Sequence, residues 1–146
     1  MTFSTEQRIA AWGQVNSRTG EMENARLDYV TRDAIRGQPI FVDATVSCVF
    51  SGYAPCQRAR ARKDGLAAVS AVKGKRRRYP PSGGDLVPLA FEDGGRPADE
   101  TVAYVRTWGH GLGPGERSEV IRYGWQQLSN RLQIGNAEMI LSSRGW

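Results

Sequence analysis

Two aspartates, Asp28 and Asp43, sit where a β-hairpin would set them side by side. From Ile40 the even positions are Ile40, Val42, Ala44, Val46, Cys48 and Phe50, all apolar, while Asp43, Thr45 and Ser47 hold odd ones. That alternation is the period-2 pattern of a strand with one buried face. The preceding arm, Ala25 to Thr31, is β-prone, and Arg36-Gly37-Gln38-Pro39 supplies turn residues. A turn centred near Arg36-Gly37 places Asp28 opposite a residue close to Asp43 or Thr45, and directly opposed residues share a face. Both acids then project on the face that Ile40, Val42 and Val46 do not use. Two carboxylates on adjacent strands could hold a divalent cation, or they could be solvated surface acids. Spacing alone leaves both open.

A second concentration of chemistry lies downstream. Between Gln57 and Arg78 stand Arg58, Arg60, Arg62, Lys63, Lys73, Lys75, Arg76, Arg77 and Arg78, nine of the chain's 20 cationic side chains, against the single acid Asp64. Solubility alone would be better served by mixed signs. One-signed charge on a helix suits contact with phosphates, which brings affinity and salt dependence without sequence reading. A solvated helix face is the plainer alternative. Lys73-Gly-Lys-Arg-Arg-Arg also has the form of a nuclear-import patch.

The whole chain bounds these readings. Its 146 residues suit one domain with a real core, and a net charge of +5 favours a polyanionic partner. With one histidine, His110, and two cysteines, Cys48 and Cys56, there is neither a zinc set nor a disulfide framework. Cys48, among apolar strand residues, is expected to be a buried thiol outside any disulfide. No apolar run approaches the roughly 20 residues that span a bilayer, and no signal peptide is seen. A reducing intracellular compartment is the expectation. The glycines at 109, 111, 113 and 115 follow no strand, which argues against a nucleotide-phosphate loop.

The elements that must position the acids follow in order. Ser4 and Gln7 have capping-box spacing, so a short helix is predicted there, turning Ile9 and Trp12 inward, with a loop from Gly13 to Asn24. After the hairpin, Ser-Gly-Tyr-Ala-Pro ends the strand, and Gln57 to Arg78 reads as one long helix with a narrow stripe of Leu66, Val69 and Val72 or Lys73. Gly65 and Gly74 mark where it could break. Pro80-Pro81-Ser-Gly-Gly terminates it. Asp85 to Phe91 is a strand, and Pro88 argues for an edge or an irregular pairing. Pro97 to Trp108 and Glu116 to Leu132 read as helices, the second striped by Ile121, Trp125, Leu128 and Leu132. The expected class is α/β: a small mixed sheet with a central hairpin, flanked by helices on both sides.

With these pieces in place the chain resembles a family. Ala25-Arg-Leu-Asp28, Phe41-Val-Asp43-Ala-Thr-Val46, Lys75-Arg-Arg-Arg-Tyr79 and Asp85-Leu-Val-Pro-Leu-Ala-Phe-Glu92 are similar, in order and spacing, to motifs of one domain family. It is the restriction-endonuclease-like domain that follows the reverse transcriptase in some non-LTR retrotransposons (LINEs). The resemblance spans roughly Ala25 to Tyr104, and residues 105 to 146 suit the C-terminal end of such a polyprotein. Residues 1–24 are then an N-terminal helix and loop, 25–108 the endonuclease-like core and 109–146 a C-terminal helical extension.

That family belongs to the PD-(D/E)XK superfamily, so the resemblance implies Mg²⁺- or Mn²⁺-dependent nicking of a DNA phosphodiester, in a nuclear setting. It assigns Asp28 and Asp43 as metal ligands, Lys75 as the catalytic lysine and Tyr79 as the tyrosine one helical turn on. Thr45 stands where the superfamily more often carries its lysine, and in this branch the lysine comes from the helix. Arg58, Arg62, Lys73, Arg76, Arg77 and Arg78 would hold DNA, and a reverse-transcriptase domain in the parent polyprotein would be a partner. Glu92 reads as a turn acid in preference to a further ligand; Glu21 and Glu23 could assist. The alternative is a catalytically inactive DNA-binding module, or a decayed retrotransposon remnant.

Overall fold

Four strands form one sheet in the order β1-β2-β3-β4: β1 Ser4–Val15, β2 Met22–Arg32, β3 Pro39–Ser47 and β4 Asp85–Glu92. The structure, a computed structural model, describes residues 4–15, 19–32, 37–50, 54–81 and 85–143. β1 pairs antiparallel with β2 and β2 with β3, while β4 lies parallel to β3. The crossover between the parallel strands carries α1 (Ala54–Arg62) and α2 (Leu66–Arg78). α3 (Asp99–Thr107) and α4 (Pro114–Ser143) follow. The mixed α/β class, with helices on both sides of a small sheet, is as expected from the sequence.

Alternation along the strands sorts the two layers. Trp12, Leu27, Phe41, Tyr79 and Leu86 pack together, and Ala90 packs against Ala68 and Val72, so α2 covers one face. Val42, Leu89 and Phe91 meet Tyr104, Trp125, Leu128 and Leu132, so α3 and α4 cover the other. Three of the four residues in the predicted stripe of the last helix therefore point inward. That helix runs on to Ser143, past the Leu132 at which sequence periodicity faded.

The N-terminal segment departs from expectation. Residues from Ser4 form a strand, not a helix, running from Ser4↔Val30 to Ile9↔Ala25 in register and shifting before Gln14↔Glu23. Capping-box spacing is a local preference of about 1 kcal/mol, and cross-strand pairing with burial of Trp12 outweighs it. Trp12 is 2% exposed and donates Nε1–H to the Pro80 carbonyl at 2.8 Å, tying β1 to the end of α2. β1 thus belongs to the sheet, and α4 is packed on its other face.

The basic stretch is two helices. Gly65, at φ 78°, takes the left-handed conformation that breaks it. Ala44 and Val46, expected on the buried face, are exposed within β3, and past its end at Ser47 so are Cys48 and Phe50, because no layer of the described residues covers that end of the strand's apolar face. The predicted turn falls partly on residues 33–36, outside the described residues; Gly37 next to it has φ 66°. Of the expected break Ser51 to Pro55, residues 51–53 also lie outside them, and Ala54 and Pro55 already belong to α1, where a proline in the first turn loses no hydrogen bond.

Pro88 does lie on an edge strand. Thr101 of α3 guards that edge: fully buried, its hydroxyl accepts the Ala90 N–H at 2.9 Å and lies 3.2 Å from the Ala90 carbonyl.

Candidate functional site

The β2–β3 ladder runs Arg32↔Pro39, Thr31↔Ile40, Val30↔Phe41 and Tyr29↔Val42, where it ends. One step further in that register sets Asp28 opposite Asp43. Backbone pairing stops there because a side chain takes over: Asp28 Oδ2 accepts the Ala44 N–H at 2.6 Å. Alternation would also put Leu27 and Tyr29 on one face, yet Leu27 packs with Trp12 and Tyr79, and Tyr29 with Val42. The pleat is therefore interrupted at Asp28, and the hairpin opens where its two acids lie.

Asp28 is exposed, whereas Asp43 is 4% exposed on the α2 face. Lys75 of α2 reaches down to it, Nζ to Oδ2 2.6 Å. That contact engages Oδ2 directly, so the buried oxygen has an ammonium as its partner. Burial pushes the Asp43 carboxyl above its ordinary range, the Lys75 ammonium opposes this, and the neighbouring Asp28 charge adds to the rise. Asp43 and Lys75 form the pair, and Asp28 is near enough for its charge to act on Asp43.

Tyr79, four residues after Lys75, donates its backbone N–H to the Lys75 carbonyl at 2.9 Å. Its ring is buried 5.4 Å from that of Trp12, with the Arg78 guanidinium 5.5 Å from its centroid. Burial raises its pKa, and the Asp43 charge adds to that. Lys75 and Tyr79 thus share the sheet-facing side of α2. Thr45, two residues beyond Asp43 on the same strand, pairs with Ala90.

Behind the acids, Tyr29 hydrogen-bonds the Tyr104 hydroxyl of α3, and burial raises the pKa of both. This fixes β2 immediately after Asp28 against the opposite helix layer.

Of the cationic residues assigned to nucleic acid, Arg58, Arg62, Lys73, Arg77 and Arg78 are exposed. Arg76 is also exposed, but its guanidinium donates to both oxygens of Glu100. Glu92 is neither a turn acid nor placed as a ligand. It is 6% exposed, and its Oε1 accepts the Ala67 N–H at 3.0 Å, at the start of α2. A Glu closing an apolar strand was the only sequence signal, and it does not name a helix as partner. Glu21 is exposed ahead of β2; Glu23 pairs through its backbone with Gln14. His110 is exposed in the turn after α3.

Among the described residues no three His, Cys, Asp or Glu side chains converge. The donors at the hairpin opening are therefore two carboxylates and nearby backbone carbonyls. No helix among the described residues is long and apolar enough to cross a membrane. Comparison with protein-family profiles, curated proteins and solved structures finds no match to this chain.

Proposed function

We propose that this chain is a metal-dependent endonuclease-like domain of retrotransposon origin that hydrolyses a DNA phosphodiester to nick its target. The observation that carries the reading is the buried Asp43 carboxylate, in contact with Lys75 and beside Asp28 at the opened hairpin.

Asp28 and Asp43 would hold Mg²⁺ or Mn²⁺. Mg²⁺ prefers hard oxygen ligands and keeps several waters, so two carboxylates suffice. Asp43 offers a buried carboxylate for that role and Asp28 an exposed one. Once bound, the ion supplies a more acidic water and charge neutralisation at the phosphate.

The chain's own groups do the rest. Burial strengthens the field around Asp43 by keeping water from it. Lys75 hands its charge from Asp43 to the non-bridging oxygens as negative charge develops there. Tyr79, held by Trp12, stiffens the helix end that presents Lys75. Lys73, Arg77 and Arg78 lie on the same helix and would grip the duplex through its phosphates, with Arg58 and Arg62 on α1. A nuclear setting and a reverse-transcriptase partner in the parent polyprotein belong to the same reading.

Incubating the purified chain with supercoiled plasmid tests it. Relaxed circles that form with Mg²⁺ and not with EDTA support it. Plasmid retained at low salt but never nicked moves the chain to the DNA-binding module.

A further inference from the structure

We infer that Glu92 is a positioning residue that sets the height of Lys75 over Asp43; this rests on reading the Asp43–Lys75 pair as the reactive centre. α2 begins without a cap of its own: Gly65 stands at the N-cap and has no side chain to offer. Its first turn would leave backbone N–H groups without acceptors. Glu92, the last residue of β4, supplies one from the sheet through its bond to Ala67. A carboxyl group is also the side chain that a helix N-terminus favours.

The spacing along helix and strand then matches. From Ala67 to Lys75 is eight residues of α2, about 12 Å at the helical rise. From Glu92 back to Pro88 is four residues of β4, about 13 Å at the strand rise. Pro88 is the register partner of Asp43. So α2, running antiparallel to the strands, is pinned at Glu92 at one end and meets Asp43 at the point where Lys75 arrives. The match continues: Tyr79, twelve residues from Ala67 and about 18 Å along the helix, packs with Leu86, six residues from Glu92 and about 20 Å along the strand. A slip of α2 by one residue turns Lys75 by about 100° around the axis and away from Asp43.

The test reads Lys75 directly. The full chain, metal-free and without DNA, is treated with an amine-acylating reagent, and labelling of Lys75 relative to exposed Lys73 is followed by peptide mass spectrometry. Glu92→Ala raises that ratio about fivefold, the factor expected when an ion pair of this class no longer shields the amine. Glu92→Gln, which keeps an acceptor oxygen for Ala67, stays near the wild-type ratio. Gly124→Ala, a destabilising change on the opposite layer, leaves it unaltered. If Glu92→Ala does not fold, Glu92→Asp replaces it: the acceptor falls one methylene short and the ratio again rises. An unchanged ratio in a folded Glu92→Ala or Glu92→Asp chain overturns the inference. Labelling that responds in a chain unable to nick plasmid leaves the positioning role standing and rejects the nuclease reading alone.

Discussion

Lys75 Nζ lies 2.6 Å from Oδ2 of Asp43, bridging α2 and β3 over a carboxylate that burial has taken from water. The partly exposed ammonium offsets what burial costs the carboxylate, and Asp43 is the partner that is costly to leave alone. In metal-free buffer Asp43 binds its proton more tightly in the folded chain than in the unfolded one, because burial outweighs Lys75. Its stabilising contribution is therefore full below the ordinary carboxylate range and is lost as pH rises through the folded pKa. Lys75→Met removes the opposing charge and lifts that pKa further. The substitution should cost about 1–3 kcal/mol at pH 7.5 and clearly less at pH 5, read by urea denaturation at both. Equal losses at the two pH values would contradict the pairing.

Asp43→Asn should act in the opposite sense on stability. The amide keeps the shape and drops the desolvated charge, while Lys75 at 23% side-chain exposure can turn to water. Thermal unfolding in EDTA should move up by about 2–4 °C, equivalent to about 1 kcal/mol for a chain of this size. A marked fall in Tm would mean that Asp43 serves the fold more than the site.

Gly124 should resist the commonest helix-stabilising change. Alanine in a helix interior is ordinarily better than glycine by about 1 kcal/mol. Here a Cβ would lie 2.5 Å from one Trp108 ring carbon and 2.6 Å from another. Gly124→Ala should therefore destabilise by about 1–3 kcal/mol, with red-shifted tryptophan emission as the Trp108 ring is displaced. A stabilised variant would show that Trp108 does not rest on α4.

Trp12 pins the segment that capping-box spacing misassigned. Its ring stands edge-on to Phe41 with centroids 5.1 Å apart, and its indole N–H reaches Pro80. Trp12→Ala should cost about 3–5 kcal/mol in denaturant titrations, and Trp12→Phe about 1–2 kcal/mol through the lost hydrogen bond. A neutral Trp12→Ala would mean that β1 is an appendage.

Which parts of this arrangement were legible follows from how local each signal is. Pro88 on an edge strand and the Trp125–Leu128–Leu132 stripe are patterns within one or two neighbouring elements, whereas the alternation of β3 holds only in part, since Ala44 and Val46 are exposed and Asp43 is buried. β1 was not legible, since a four-residue capping pattern preceded a strand whose partner lies further along the chain. Cys48 and Phe50 continued the apolar alternation after the backbone had left the sheet. Glu92 depends on where α2 begins relative to the end of β4, and Arg76 on Glu100 one layer away. Neither relation is written in local spacing.

The most direct measurement is single-turnover plasmid nicking with Mg²⁺ by the wild-type chain and by Asp43→Asn at equal protein concentration. Because the asparagine chain should be at least as stable as the parent, lost activity cannot be laid to unfolding. The expected result is Mg²⁺-dependent nicking that drops by about 10²-fold or more in the variant, the scale of losing a group that stabilises charge in the transition state. Nicking that continues unchanged in Asp43→Asn, or is absent from the wild-type chain under every metal tried, would contradict the account.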